Sequence, residues 1–455
     1  MNLDDTIVAI STPIGEGGIG IIRLSGGGAV TIADRLFSSP SGKRLMEAKS
    51  HTISHGFIVD PASGERVDEV LVSVMKAPRT YTREDVVEIN CHGGMLPLRT
   101  ILSLAKKEGG RHADPGEFTQ RAFLNGRIDL SQAEAVMDLI HAKTEKAERL
   151  ALQQLEGRLS ARIHDLRERI TRLCVHIEAY IDFPDEEIDL MVIGEMTAGM
   201  DTIGNELLSL ARGYEEGRFF REGIAAAIVG KPNVGKSSLL TALLQRDRAI
   251  VPEIPGTTRD VIEDHLNISG LPLRIMDTAG IRETHDLAEK EGVKRSLRAI
   301  EGADLVIAVF DGGRPLDEAD REIMEKAQGK RTVFVINKSD LGEQGLSLPS
   351  PSVRVSALKG EGLEELKESI ISLFLTRGSS GPDETVMITN IRHRESIDRS
   401  GESLSTAKES LQRGEPLEVT ALFLREALDS LGEIIGVVTT DDILERIFTQ
   451  FCIGK

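Results

Sequence analysis

Residues Gly230 to Ser237 read GKPNVGKS and match G-x-x-x-x-G-K-[ST] at each fixed position, the pattern of a loop that cradles phosphate. The chemistry is anion binding. Successive backbone N–H groups and the positive end of a following helix converge on one site. Asn233, Val234, Gly235, Lys236, Ser237 and Ser238 would line it. Lys236 would reach the β- and γ-phosphates, and the Ser237 hydroxyl would sit on Mg2+. Three further stretches follow in order. Asp277-Thr278-Ala279-Gly280 offers a carboxylate for a metal-bound water and a glycine N–H for the γ-phosphate. Asn337-Lys338-Ser339-Asp340 offers Asp340 to accept both guanine N–H donors, with Asn337 facing the other base edge. Adenine has no such donor pair, and a buried unpaired group costs roughly 1–3 kcal/mol, enough for base selection. Ser356-Ala357 would add backbone N–H contacts to the guanine oxygen. Each stretch alone suits an ordinary loop; all of them in this order predict a GTPase.

Such loops need strand ends to hold them. Apolar runs stand directly ahead of each: Ile224–Val229, Leu271–Met276, Thr332–Ile336 and Val353–Val355, with a helix-compatible stretch over Ser238–Leu244. An α/β P-loop (Ras-like) GTPase domain is therefore expected over 219–378. Residues 1–118 alternate short β-like runs (Thr6–Ser11, Gly20–Leu24, His51–Val59, Glu69–Met75, Asp85–Asn90) with glycine turns and one helix-like stretch, Leu96–Lys107, which reads as a small α+β domain. From 119 to 218 the pattern is helical. Leu155, Leu159, Ile163, Leu166, Ile170, Leu173 and Ile177 recur at spacings of three and four, a stripe for packing against other helices. Phe183-Pro184 breaks it before the acidic Asp185-Glu186-Glu187. A glycine- and serine-rich linker, Arg377–Asp383, precedes a second helical segment, 379–455. Each helical flank has a stripe to hide, so the expected solution packs the two together into one all-α domain with the GTPase inserted between them.

Composition narrows the class. The chain has 455 residues, 40% of them hydrophobic, which suits about three domains with real cores. A net charge of −18 leaves no global footprint for nucleic acid, so DNA is not expected and any RNA contact would need local basic patches or a partner. Three cysteines without C-x-x-C argue for a reducing cytoplasm. No apolar run nears the ~20 residues that span a bilayer, and the acidic start MNLDDTIVAI lacks a signal peptide's basic region.

Turnover needs positive charge at the transition state. Asn233, inside the loop, can offer a carbonyl oxygen to a monovalent cation beside the β- and γ-phosphates, taking the place of an arginine finger; as a turn residue it can also simply bond its own backbone. Downstream, Pro252-Glu253-Ile254-Pro255-Gly256-Thr257-Thr258 could complete that shell with backbone carbonyls, and Thr258 could ligate Mg2+. Arg259 reads as an ion-pair partner of Asp260. Ile281 stands where many GTPases carry a water-orienting glutamine, and it cannot orient water. Glu283, Asp286, Glu289 and Glu291 are all candidates for that role, and spacing does not choose among them.

The chain resembles the MnmE (TrmE) family of tRNA-modifying GTPases over essentially its full length. The likeness is carried by Gly15-Glu16-Gly17-Gly18-Ile19-Gly20 running into Ile22-Arg23-Leu24-Ser25-Gly26, by His92-Gly93-Gly94, and by Pro115-Gly116-Glu117-Phe118 with Arg121-Ala122-Phe123-Leu124-Asn125-Gly126. Ile181 to Glu187, Gly256-Thr257-Thr258-Arg259-Asp260 and the ending Phe451-Cys452-Ile453-Gly454-Lys455 complete it. The resemblance implies a K+-stimulated GTPase whose domains dimerise across their nucleotide faces. It also implies a homodimer formed by a folate-binding N-terminal domain and a heterotetramer with the FAD- and NADH-using partner MnmG. The activity implied is modification of C5 of the wobble uridine of certain tRNAs, with a tetrahydrofolate one-carbon donor (5-formyl or 5,10-methylene) and glycine or ammonium. Position by position, it implies K+ ligation by Asn233, Pro252, Ile254 and Thr257, water orientation by Glu289 ahead of Gly292-Val293, and folate binding by Arg23, Glu88, Arg127 and Lys455. Pro252 stands where some relatives have threonine, a change that a carbonyl ligand survives. Arg127 stands where some have lysine, which keeps charge but not geometry.

Cys452 has two readings: a nucleophile for the uridine ring, activated by Lys455, or a free thiol with no covalent role. His92 beside Cys91 is too few ligands for zinc, and the Gly93-Gly94 turn explains that stretch better. Two other functional readings stand beside the tRNA-modifying one: an RNA- or ribosome-associated regulatory GTPase, and a folate-dependent one-carbon enzyme with an accessory GTPase.

Overall fold

The computed structural model describes residues 4–182, 193–247, 264–276, 299–342, 346–375 and 386–455. The chain forms two compact units, one made of residues before 138 together with 432–455, the other of the described residues between.

The first unit is built on a seven-stranded sheet of β1 (Ile7–Ile10), β2 (Gly17–Ser25), β3 (Phe37–Ser38), β4 (Thr52–Val59), β5 (Arg66–Met75), β6 (Val86–Gly93) and β7 (Arg111–His112), in the order β3-β4-β5-β6-β2-β1-β7. Alternation along β5 sends Val70, Val72 and Val74 into the core, where the helices Ala29–Leu36 and Met95–Lys107 cover them. The opposite face carries Arg23 of β2 in register with Glu88 of β6. The helix Ala29–Leu36 has no counterpart in the sequence reading. Gly26 turns sharply with φ +131° against Asp5 and Thr6, and the chain enters the helix directly.

The second unit begins with helices. The apolar stripe is confirmed, with one correction: Leu155 ends the helix Glu145–Leu155, and the other members, Leu159 to Ile177, lie buried along Arg158–Asp182. Gly157, at φ +86°, breaks the helix between them. The expected joining of the two flanks is present. The helix Ile193–Arg212 lies against Ile391–Arg413, with Lys408 on Asp201 at 2.5 Å and Arg394 donating to the Ala211 carbonyl at 2.5 Å. Ser400 donates to the Ala427 carbonyl of the helix Leu417–Ile435 at 3.0 Å, and Arg425 pairs with Glu178 at 2.6 Å.

Between these flanks sits a six-stranded sheet of β8 (Ile224–Val229), β9 (Asp264–Ile268), β10 (Leu271–Ile275), β11 (Leu305–Asp311), β12 (Arg331–Asn337) and β13 (Ser352–Arg354), in the order β13-β12-β11-β8-β10-β9. Neighbours are parallel except β9 and β10. Ala226 and Ile228 face one core and Ala227 and Val229 the other, which is why β8 is an unbroken apolar run. The chain enters this sheet through the helix Tyr214–Glu222 and leaves it ahead of Ile388. The two meet at Gly217, where an added Cβ would lie 2.1 Å from the Ile388 carbonyl oxygen. No helix among the described residues is long and apolar enough to cross a membrane.

Candidate functional site

The loop after β8 sits at the carboxyl end of a central parallel strand, where such sheets bind ligands. Its backbone is shaped by close approach. Gly230 has φ +150°, and a Cβ there would meet the Val309 carbonyl at 2.4 Å. Gly235 has φ +97°, and its Cβ would fall 2.1 Å from the Asn337 Nδ2. Asn233 holds a left-handed φ of 65° and is exposed. The helix Lys236–Asp247 then begins at once, so Ser237 and Ser238 occupy its first turn.

Lys236 folds back over the loop. Its Nζ donates to the carbonyls of Gly230 at 2.8 Å and Lys231 at 2.7 Å. Burial pushes this amine down to about 8. An ammonium surrounded by carbonyls, among N–H groups of a helix start, fits an anion. A proton-linked signature follows. At pH 8 roughly half of these amines are deprotonated, and an arriving phosphate favours the charged form. Binding of Mg-GDP at pH 8 should therefore take up roughly half a proton per site, falling towards zero at pH 6.5. Calorimetry in buffers of different ionisation enthalpy reads this directly; equal, zero uptake at both pH values would contradict it.

The base-reading stretch is held in place by bonds to neighbouring loops. Asn337 is buried, its Nδ2 donates to the Val234 carbonyl at 2.9 Å, and its Oδ1 accepts the Ala357 N–H at 3.1 Å. The Ser356 N–H goes to the Glu361 carbonyl at 3.1 Å. These bonds stitch three loops together, because a buried amide must satisfy both of its ends. Asp340 accepts the Ser356 hydroxyl at 2.7 Å, and that bond holds its carboxyl below the usual range. Lys338, at φ 63°, donates to the Asn233 carbonyl at 2.8 Å and pairs with Asp311 at 2.7 Å. Burial would raise the Asp311 carboxyl, but Lys338 holds it low. Asp311 was not singled out by sequence; it ends β11 without a motif of its own.

Pro252, Glu253, Ile254, Pro255, Gly256, Thr257 and Thr258 lie outside the described residues, as do Asp277, Thr278, Ala279, Gly280 and Glu289. So do Arg259, Asp260, Ile281, Glu283, Asp286 and Glu291.

A second cluster lies on the first unit's sheet. Arg23 donates from Nε to Glu88 Oε1 at 2.9 Å and approaches the same oxygen with NH2 at 2.8 Å. Its NH1 reaches the Gly454 carbonyl at 3.3 Å, which also accepts the Ser11 hydroxyl at 3.1 Å. Gly454, at φ +96°, lies so close to Ile10 that a Cβ would be 2.2 Å from its carbonyl oxygen. That close contact seats the segment carrying Cys452, which is exposed, and Lys455, which is half-buried. Burial first and Arg23 second lower the Lys455 pKa. Arg127 is exposed, donates from NH1 to the Tyr81 carbonyl at 3.0 Å, and lies 4.7 Å above the Tyr81 ring. Three cations with one carboxylate, in a chain of net charge −18, fit a ligand that carries negative charge. Cys91 is buried, and burial pushes its thiol up to about 11; His92 pairs with Asp68 at 2.6 Å.

Two family models match the chain: the N-terminus of the GTP-binding protein TrmE over residues 6–127 and the MnmE helical domain over residues 130–452. A protein of Acetivibrio thermocellus named tRNA modification GTPase MnmE is 48% identical over 462 residues, covering 100% of both chains. One of the same name from Geobacter sulfurreducens is 49% identical over 460 residues, again covering 100% of both.

Proposed function

The chain belongs to the MnmE (TrmE) family of tRNA modification GTPases, GTP hydrolases that act in tRNA modification with GTP and Mg2+, and on that premise we propose how its two clusters divide the work. The nucleotide site comprises Asn233, Val234, Gly235, Lys236, Ser237, Ser238, the 252–258 stretch, Asp277 to Gly280, Asn337, Lys338, Asp340, Ser356 and Ala357. Lys236 moves from its loop carbonyls to the β- and γ-phosphates. Ser237 and Thr258 hold Mg2+, while Asn233, Pro252, Ile254 and Thr257 hold K+. Glu289 orients the attacking water. The chain works as a homodimer with an FAD-dependent MnmG-type partner, in the cytoplasm. Its domains run 1–118, 119–218, 219–378 and 379–455.

The second cluster binds a tetrahydrofolate one-carbon donor. The observation that carries this reading is the Arg23–Glu88 pair under the Gly454 carbonyl, with Lys455 half-buried beside it. A carboxylate suits the amino-pyrimidine edge of a pterin, and basic side chains suit an anionic glutamyl tail. The product is a carboxymethylaminomethyl-type group on C5 of the wobble uridine.

Two measurements test this. Wobble-nucleoside analysis of tRNA from cells lacking the gene should lose the modified uridine; an unchanged profile would favour a regulatory GTPase. Titration with a reduced folate should give saturable binding that Arg23→Ala or Glu88→Ala weakens by roughly tenfold or more, as loss of a charge-assisted hydrogen-bonded group predicts. No binding to the unaltered protein would remove the folate part.

A further inference from the structure

Among the groups around this second cluster, Tyr81 meets both Arg23 and Arg127 and has no role so far. It follows β5 in the loop that leads to β6. Its ring lies 4.7 Å from the Arg127 guanidinium and 5.9 Å from that of Arg23. Phe118 meets Arg23 from its own side at 5.7 Å. The Tyr81 carbonyl accepts the Arg127 NH1, and its hydroxyl shares a 2.9 Å hydrogen bond with the buried Thr119. Two more bonds fix the same loop to the turn that carries Arg127: Asn125 Nδ2 to the Thr82 carbonyl at 2.7 Å and Arg83 NH1 to the Asn125 carbonyl at 2.9 Å.

The two arginines are in different states. Arg23 is committed on all three nitrogens, two to Glu88 and one to Gly454, so it braces Glu88 and the 452–455 segment. Both bonds to Glu88 go to Oε1, which leaves Oε2 for a ligand's donors. Arg127 spends only NH1 on protein; its Nε and NH2 make no hydrogen bond among the described residues. A guanidinium stacked on a ring is held without using its donors, a geometry lysine does not reproduce.

We propose that Tyr81 is the positioning residue that fixes Arg127 at a set distance from Glu88, so that an extended ligand with a donor-bearing heteroaromatic head and an anionic tail is read at both ends. This rests on the folate reading and divides its labour: Glu88 Oε2 takes the head, Arg127 takes the tail, and Tyr81 sets the spacing through its ring rather than its hydroxyl.

The test compares two ligands on three proteins. 5-Formyltetrahydrofolate carries the tail; 6-methyltetrahydropterin has the head alone. Tyr81→Leu should weaken the folate about tenfold and leave the methylpterin unchanged, while Tyr81→Phe should leave both unchanged. Calorimetric titration gives the affinities, and thermal unfolding of each variant reports the fold. Equal weakening of both ligands by Tyr81→Leu would mean that Tyr81 only supports the loop, and would overturn the proposal. So would unchanged binding of both. If the unaltered protein binds the methylpterin but not the folate tail, Arg127 is misassigned and the proposal falls while Glu88 keeps its role. If it binds neither, the folate reading fails first.

Discussion

Replacing potassium by sodium at equal ionic strength should slow GTP hydrolysis by roughly 10^3-fold, the lower end of what an arginine finger contributes. The reasoning starts from Asn233. Its backbone is held at φ 65° and the residue is exposed, within the phosphate loop that Lys236 folds back over. Lys338 fixes the same residue from behind by donating to its carbonyl, so the amide is presented from a rigid position. Transition-state charge on a γ-phosphate needs a cation close by, and potassium suits a shell of carbonyl oxygens wider than sodium prefers. Two controls make the result specific. Asn233→Ala should abolish the difference between the two salts, and Glu289→Ala should stop turnover in both while leaving GTP affinity unchanged. Equal rates in potassium and sodium for the unaltered protein would remove the cation from the account.

Arg121→Met should destabilise the first unit by about 3 kcal/mol, lowering its thermal transition by roughly 6–12 °C. Arg121 is wholly buried, and its guanidinium pairs with Asp5, with Glu84 at 3.2 Å and with Glu117 at 3.0 Å. Glu117 is itself wholly buried. Methionine fills similar volume, so the loss is that of uncompensated charge rather than of packing. Arg111 still pairs with Asp5 and Glu117, which keeps the cost near the low end. The pH dependence has a definite sign. Burial raises the Glu117 carboxyl, but Arg111, the Asp114 N–H and Arg121 together hold it below its ordinary 4.5. Its contribution is therefore complete above pH 4.5 and is lost as pH falls through the lowered value. The gap between the two proteins should be full at pH 7 and narrow in acid. A gap that is constant with pH would point to packing alone.

How much of this was legible in the residues depended on whether the cause was local. The phosphate loop was readable because its fixed residues fall in one short stretch, although the close approaches that require Gly230 and Gly235 come from the distant Val309 and Asn337, and β8 because burial on both faces leaves no polar position. The pairing of the two helical flanks was legible from unhidden apolar stripes. That Leu155 and Leu159 lie on separate helices is hidden from a spacing rule, which cannot see that Gly157 turns left-handed between them. That the Asn337 amide also bonds Val234 and Ala357 was not legible, since these residues lie 103 and 20 positions away. Tyr81 and Asp311 lacked any signal in one sequence, and Arg121 stood in a family stretch without an assigned role, since what distinguishes them is company from distant parts of the chain. The Arg23–Glu88 pairing is likewise a matter of register between β2 and β6, which composition does not disclose.

Gly217 against Ile388 has an architectural corollary. The inserted sheet is joined at a neck, where the helix that leads into it and the segment that leaves it touch. A framework with such a neck does not depend on its cargo to close its own chain. A short turn from the helix at Tyr214–Glu222 to the segment ahead of Ile391 would bridge backbones already in van der Waals range. The nucleotide-driven part therefore joins the helical scaffold at a single place in the chain's path.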